Sequence, residues 1–406
     1  MNLRRVTEYC LNLNCPIVTL AIALALSFGC QVAAAEKPVK VYVLVGQSNM
    51  QGHAQIRTFE HIAMDPKNAA LLEAIQNADG TPRVCDDVWI SSLTTVGEKV
   101  GKLTAGYGAD DNKIGPELTF GIFKQKMLGE PIVIIKTAWG GKSLHTDFRS
   151  PSAGPFEFSD AQLERFKKQN KDIDKIKADK KEATGHYYRL TIQHVKKVLA
   201  DLKRVYPDYD GDQGYQLSGL VWFQGWNDMV DSGIYPDRGK PGGYDNYSTL
   251  LGHFIRDIRR DLSSPKLPFV IGVMGAGGPV DEYLPDQKRY AAIHQGFRDA
   301  MAAPAKLPEF KGNVMAVLAE KYWDRELLLL RARENKVKQK AKQLQKEGKL
   351  DRDALRKAQE DLRVKEFTER EREILEKGVS NAEFHYLGSA KIMARIGKGF
   401  AEAITP

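Results

Sequence analysis

From Val39 onward, short uninterrupted apolar runs alternate with longer stretches of helical periodicity. The clearest runs are Val41 to Val45, Ile132 to Ile135, Leu220 to Phe223, Phe269 to Val273 and Val314 to Leu318. Each is continuous rather than alternating, the pattern of a strand covered on both faces. Val88-Trp89-Ile90 is a shorter sixth candidate. Between them the periodicity predicts helices over Pro116–Leu128, His186–Val205 and Tyr247–Asp261. Strands alternating with helices imply the α/β class: a doubly wound parallel sheet of about five strands in a three-layer α/β/α arrangement.

Two stretches break this rhythm. Phe156 to Glu182 is dense in charge and reads as a helical excursion or an exposed flap. Across residues 326–378, Val337, Ala341 and Leu344 share one helical face, Gly348 can turn the chain, and Leu355, Ala358 and Leu362 form a second face. That pattern predicts a helical hairpin inserted within one domain spanning 36–406, either packing on it, gating it or serving self-association. Upstream, Arg4 and Arg5, the apolar run Ile17 to Phe28 and the small residues Val32 to Ala35 read as an export signal over 1–35. An uncleaved anchor is the alternative, although the run falls short of the roughly 20 apolar residues a spanning helix needs. Cleavage near Ala35 leaves a periplasmic or secreted protein without stable membrane insertion.

Charge and cysteine content narrow the picture further. Removal of 1–35 takes Cys10, Cys15 and Cys30, leaving Cys85 with no disulfide partner. The net charge is +8, and 331–375 carries fifteen Lys and Arg against ten Asp and Glu. That surplus is mixed along helical sequence rather than gathered in a stripe with stacking aromatics, so it does not read as a nucleic-acid surface. No His or Cys spacing suggests a metal, and Gly272 to Gly278 lacks a dinucleotide-binding pattern.

Candidate chemistry begins at Gly46-Gln47-Ser48-Asn49-Met50, directly after the first apolar run. Ligands in doubly wound sheets bind beyond the carboxyl ends of strands. A serine there can present both hydroxyl and N–H to one carbonyl, although a serine at this position also suits a helix cap. Met50 replaces the second glycine of a Gly-x-Ser-x-Gly elbow. Three later segments join it: Trp139-Gly140-Gly141, Gln224-Gly225-Trp226-Asn227-Asp228 and Phe384-His385-Tyr386-Leu387-Gly388.

With these four elements in order, the chain resembles the SGNH-hydrolase superfamily, and within it the sialate O-acetylesterase-like carbohydrate esterases. The resemblance implies an exported serine esterase that removes O-acetyl groups from carbohydrate, without metal or cofactor. In that reading Ser48 is the nucleophile and His385 the base. The Ser48 N–H, Gly140 or Gly141, and the Asn227 amide form the oxyanion hole. Gln47, Asn49, Gln224 and Glu117 are candidate substrate-binding residues. The first three either bond the sugar or brace Asn227 and Ser48, and Glu117 at a helix start also suits the helix dipole. Trp139 and Trp226 either wall a sugar platform or pack in the core.

Relatives place an aspartate three residues before the histidine, where this chain has Ala382. Glu383, Asp324, Asp228 or a backbone carbonyl remain as partners for His385. The acetylated glycan is unspecified. A general short-chain carboxylesterase and a non-catalytic carbohydrate-binding scaffold are the competing readings.

Overall fold

The computed structural model describes residues 37–348 and 351–404; the expected export segment, with Cys10, Cys15 and Cys30, lies outside the described residues. The apolar runs form strands β1 (Val39–Gly46), β2 (Val88–Thr94), β4 (Ile132–Ala138), β5 (Tyr215–Phe223), β6 (Phe269–Val273) and β7 (Val314–Leu318). A further strand, β3 (Gly97–Lys102), completes one sheet in the order β3-β2-β4-β1-β5-β6-β7. Every pairing is parallel except the β2–β3 hairpin. The sheet therefore has seven strands rather than about five. β3 escaped the pattern because Gly-Glu-Lys-Val-Gly-Lys is a half-exposed edge with no apolar run to recognise.

Alternate residues of β1 enter opposite cores. Tyr42 and Leu44 pack with Phe120, Ile396 and Phe400, from helices α2 (Glu117–Leu128) and α10 (Ala390–Ala403). Val41, Val43 and Val45 pack on the other face with Val195, Phe254 and Phe297, from α3 (His186–Ala200), α5 (Asp245–Asp261) and α6 (Ala291–Ala302). Each such fully buried side chain contributes about 1.5–3 kcal/mol, so the two faces together fix the strand's register.

The segment expected as a hairpin folds as three helices, α7 (Arg325–Gly348), α8 (Arg352–Glu366) and α9 (Glu369–Gly378). Leu327, Leu328 and Leu330 at the start of α7, and Ile374 and Leu375 of α9, are buried in the core that holds Phe59 and Ile62. Both roots therefore belong to the main body, while α8 buries no residue and lies against α7 through pairs such as Arg333–Glu366 at 3.0 Å. Within Phe156 to Glu182 the charged stretch forms two exposed helices, Asp160–Lys168 and Ile173–Ala183. Burial raises the Cys85 thiol to about 11, which keeps it protonated and unreactive at neutral pH.

β1 has β4 on one side and β5 on the other, and the three strands end in register. Gly46 is paired with Ala138 and with Phe223. The chain reverses direction across the sheet at this point, which opens a crevice beyond those strand ends. Short helices α1 (Ser48–Gln51) and α4 (Trp226–Val230) start there.

Gly46 is required by contact rather than by backbone angle. A Cβ at this position would lie 2.2 Å from the Phe223 carbonyl oxygen and 2.7 Å from Met50 Cβ. Gly46→Ala is predicted to destabilise the protein by about 1–3 kcal/mol, the usual cost of overpacking. A urea midpoint equal to wild type would show that β5 can yield.

Candidate active site

Three expected site segments leave the three adjacent strand ends: Ser48 after β1, Gly140 and Gly141 after β4, and Asn227 after β5. The fourth, His385, sits in the loop between α9 and α10. Asn49 Nδ2 donates to the Phe384 carbonyl at 3.1 Å, so the nucleophile turn and the histidine loop are directly tied.

Ser48 is the first residue of α1, capped by the extended Gln47. The residue is 8% exposed, and Gln47 Nε2 at 3.5 Å is the only side-chain group within hydrogen-bonding range of its hydroxyl among the described residues. Gly140 lies alongside, since a Cβ there would be 4.0 Å from Ser48 Cβ and 3.4 Å from Gln51 Oε1. Gly141 adopts φ 72° and has open space around it. Gly141 thus makes the turn, and Gly140 is the glycine beside the serine.

Gln47 organises the centre. Its Oε1 accepts from Gly225 N and Gln224 Nε2, both at 3.1 Å, and its Nε2 donates to Asn227 Oδ1 at 2.9 Å. Because the Asn227 oxygen is occupied by that donor, its NH2 remains as a donor for a ligand. Gln224 Nε2 also donates to the Lys142 carbonyl at 3.0 Å and to Asp228 Oδ2 at 2.6 Å. Asp228 accepts from Leu144 N at 2.8 Å, His145 N at 3.1 Å and the Tyr235 hydroxyl at 3.2 Å, and burial pushes its carboxyl up. These bonds hold the glycine turn to the start of α4.

The four residues expected near the substrate make internal bonds. Gln47, Asn49 and Gln224 are 1%, 4% and 2% exposed and serve as internal braces. Glu117 is completely buried, pairing with Lys136 Nζ at 2.6 Å and accepting from Gly115 N at 2.8 Å. Lys136 donates also to the carbonyls of Gln51 at 2.9 Å and Tyr107 at 2.7 Å, which satisfies all three of its N–H groups. Burial raises the Glu117 carboxyl and lowers the Lys136 ammonium, each opposed by the charge of the other. Trp139 is core, packed on Tyr187 at 4.9 Å.

The carboxylates expected behind His385 are elsewhere too. Glu383 accepts from Gln287 Nε2 at 2.7 Å. Asp324 caps α7 by accepting from Leu327 N at 3.1 Å and pairs with Lys391 at 2.8 Å. The group at His385 Nδ1 is the side-chain oxygen of Asn381, at 3.1 Å. That oxygen also accepts from Ala382 N at 2.7 Å, which fixes the amide's orientation. His385 must then carry its proton on Nδ1, leaving Nε2 with the basic lone pair. Asn381 was missed because only carboxylates and backbone carbonyls were sought in that role.

A second unforeseen group is His53, whose ring stacks on His385 at 4.1 Å with the planes 2° apart. His385 is lowered to about 4 by burial and then by Lys113; His53 is lowered to about 4 by burial, then by His385 and Lys113. After His385, Tyr386 and Leu387 hold φ of 54° and 58°, a conformation that residues other than glycine seldom adopt. Burial of both side chains, the Gly275 N donation to the Tyr386 hydroxyl at 2.9 Å, and Ser380 N and Asn381 N on the Leu387 carbonyl at 2.9 and 3.0 Å enforce it.

This α/β fold and the sequence profile put the chain among the carboxylic ester hydrolases. The profile of the family described as carbohydrate esterase, sialic acid-specific acetylesterase, matches residues 38–306, and the chain belongs to that family. The match includes Ser48, Gly140 and Asn227 and stops before His385. No curated protein matched the chain. Among solved structures, a protein of Arabidopsis thaliana is similar at 15% identity and a TM-score of 0.39, covering 70% of this chain and 86% of its own. A carbohydrate acetylesterase of Xanthomonas citri is similar at 14% identity and a TM-score of 0.39, again over 70% of this chain; the match spans 51% of that protein.

Breaking a buried ion pair strands a charge, at a cost of about 3–5 kcal/mol, whereas replacing both partners with apolar groups removes much of that cost. Lys136→Met should lower stability by about that amount in urea unfolding, and Lys136→Met with Glu117→Leu should recover part of it. A double variant no more stable than the single one would refute the pairing as the source of the cost.

Proposed function

We propose that the protein is an exported serine esterase that removes O-acetyl groups from carbohydrate through an acyl-Ser48 intermediate. The observation that carries this reading is the meeting of Ser48, Gly140 and the free Asn227 amide beyond three strand ends that finish in register. His385 Nε2, left basic by the bond from Nδ1 to Asn381, takes the proton of Ser48 as its oxygen attacks the acetyl carbonyl. The oxyanion receives the N–H groups of Ser48 and Gly140 and the NH2 of Asn227. Collapse breaks the ester bond, and His385 returns the proton to the departing sugar oxygen. Water then attacks the acyl group by the same route, releasing acetate and restoring Ser48.

Beside this centre lies a cavity of about 520 Å³, bordered by Trp226 next to Asn227 and Phe384 next to His385, whose rings pack at 5.4 Å. Tyr290, 42% exposed, offers a further aromatic face there. Aromatic rings interleaved with polar side chains suit a sugar ring, and we assign the sugar of the substrate to this cavity. Export fits a substrate met outside the cell and rests on the charged start and apolar run before Ala35.

Ser48→Ala should abolish acetate release from acetylated glycans, and Asn227→Ala should reduce turnover by about 10²–10³. Retained turnover in Ser48→Ala would sink the nucleophile assignment.

His385 acts only when neutral. Its pKa near 4 means that activity should persist below pH 6 and fall as pH drops through about 4. Asn381→Asp would place a carboxylate on Nδ1, which stabilises the imidazolium and should move that limb upward by about 1–3 units. A pH–rate profile unchanged by this substitution would show that Asn381 does not govern the base.

A further inference from the structure

The sugar cavity does not end at the catalytic loop. A second cavity of about 370 Å³ adjoins it and shares Asp286, Gln287 and Glu383 as its wall. Its other wall is α7, from the inserted segment. Leu328, Arg331, Ala332, Asn335, Lys336 and Gln339 line it, and their spacing of three and four residues is that of a single helical face. The root of this face is anchored, since Leu328 is 6% exposed in the core. Farther out it is polar, and Asn335, Lys336 and Gln339 are exposed, with no side-chain hydrogen bond or ion pair given to them by the described residues. The Gln287–Glu383 bond at 2.7 Å lies in that shared wall, and Glu383 is two residues from His385.

We propose that this enzyme acts on glycan chains rather than single sugars, and that the α7 face forms the subsites for sugar units beyond the one bearing the acetyl group. The proposal rests on the acetylesterase reading above. Each compartment falls within the roughly 300–1,000 Å³ typical of a small-molecule site. Two that share a wall therefore suit an oligosaccharide better than one monosaccharide. The chemistry of the face agrees: uncommitted amides and an ammonium can each donate to sugar hydroxyls, and Asn335 and Gln339 can also accept. The wall that the second cavity shares with the one beside His385 and Asn227 makes an extension of the substrate the occupant that fits. The insertion thereby has a role in binding that leaves the chemical step untouched.

The test uses the full mature protein and length ladders of chemically O-acetylated xylo-, manno- and galacturono-oligosaccharides of one to six sugars. In any ladder that is deacetylated, kcat/KM should climb with length, by about tenfold overall, which corresponds to one or two added hydrogen bonds. Asn335→Ala, Lys336→Ala and Gln339→Ala combined should flatten that climb through KM. Turnover of 4-nitrophenyl acetate and of the acetylated monosaccharides should stay at the wild-type value, which also verifies the fold. A flat length dependence in wild type, or a triple variant that keeps the climb, overturns the subsites. If no ladder releases acetate, the esterase reading itself has failed, and binding of the same ladders to Ser48→Ala decides the groove separately. Affinity that rises with length and is lost in the added triple substitution supports it; affinity independent of length refutes it.

Discussion

The ammonium of Lys136 is the constraint on which the site depends. It sits at zero exposure in the middle of a parallel sheet, where an unpaired charge would be prohibitively costly. Its three protons are met by Glu117, the Tyr107 carbonyl and the carbonyl of Gln51, the last residue of the helix begun by Ser48. The polar group that a hydrophobic strand can least tolerate is thus reconciled with burial by gripping the far end of the nucleophile turn. Glu117 in turn accepts from Gly115, so the pair also fixes the loop leading into α2.

Above that anchor, the site is built mostly from neutral amides. Gln47 and Gln224 use both ends of the amide internally, and Asn227, Asn49 and Asn381 use one. An amide is both donor and acceptor, so a chain of them can fix orientations without burying charge. Asp228 is the buried carboxylate in this network, and it is quenched by four donors. The result is a crevice in which the groups left unspent, the Ser48 hydroxyl, the Asn227 NH2 and His385 Nε2, are those suited to acyl chemistry.

The buried strands were legible because a sheet covered on both faces must spell continuous apolar runs, as Val41 to Val45 and Ile132 to Ile135 do. The edge strand β3 was not, since exposure frees its residues from that requirement. Ser48, Gly140, Asn227 and His385 could be read from local motifs, because each follows a strand or precedes a helix. Their supports could not. Asn381 and His53 reach His385 through loop geometry and ring stacking, which leave no periodic trace. Glu117 and Gln224 look like ligands in sequence because polar residues near a strand end are ambiguous until burial is known.

The bond from Asn49 to Phe384 joins residues 335 positions apart. Such a separation makes the site one of high contact order, where closure entropy must be overcome before any contact rewards it. The sheet can propagate outward from β1 while the His385 loop is still undocked. Synthesis from the N-terminal side completes β1 and the Ser48 turn early and reaches His385 only after α9. During biosynthesis, then, the serine turn after β1 is made long before the histidine loop to which it is tied.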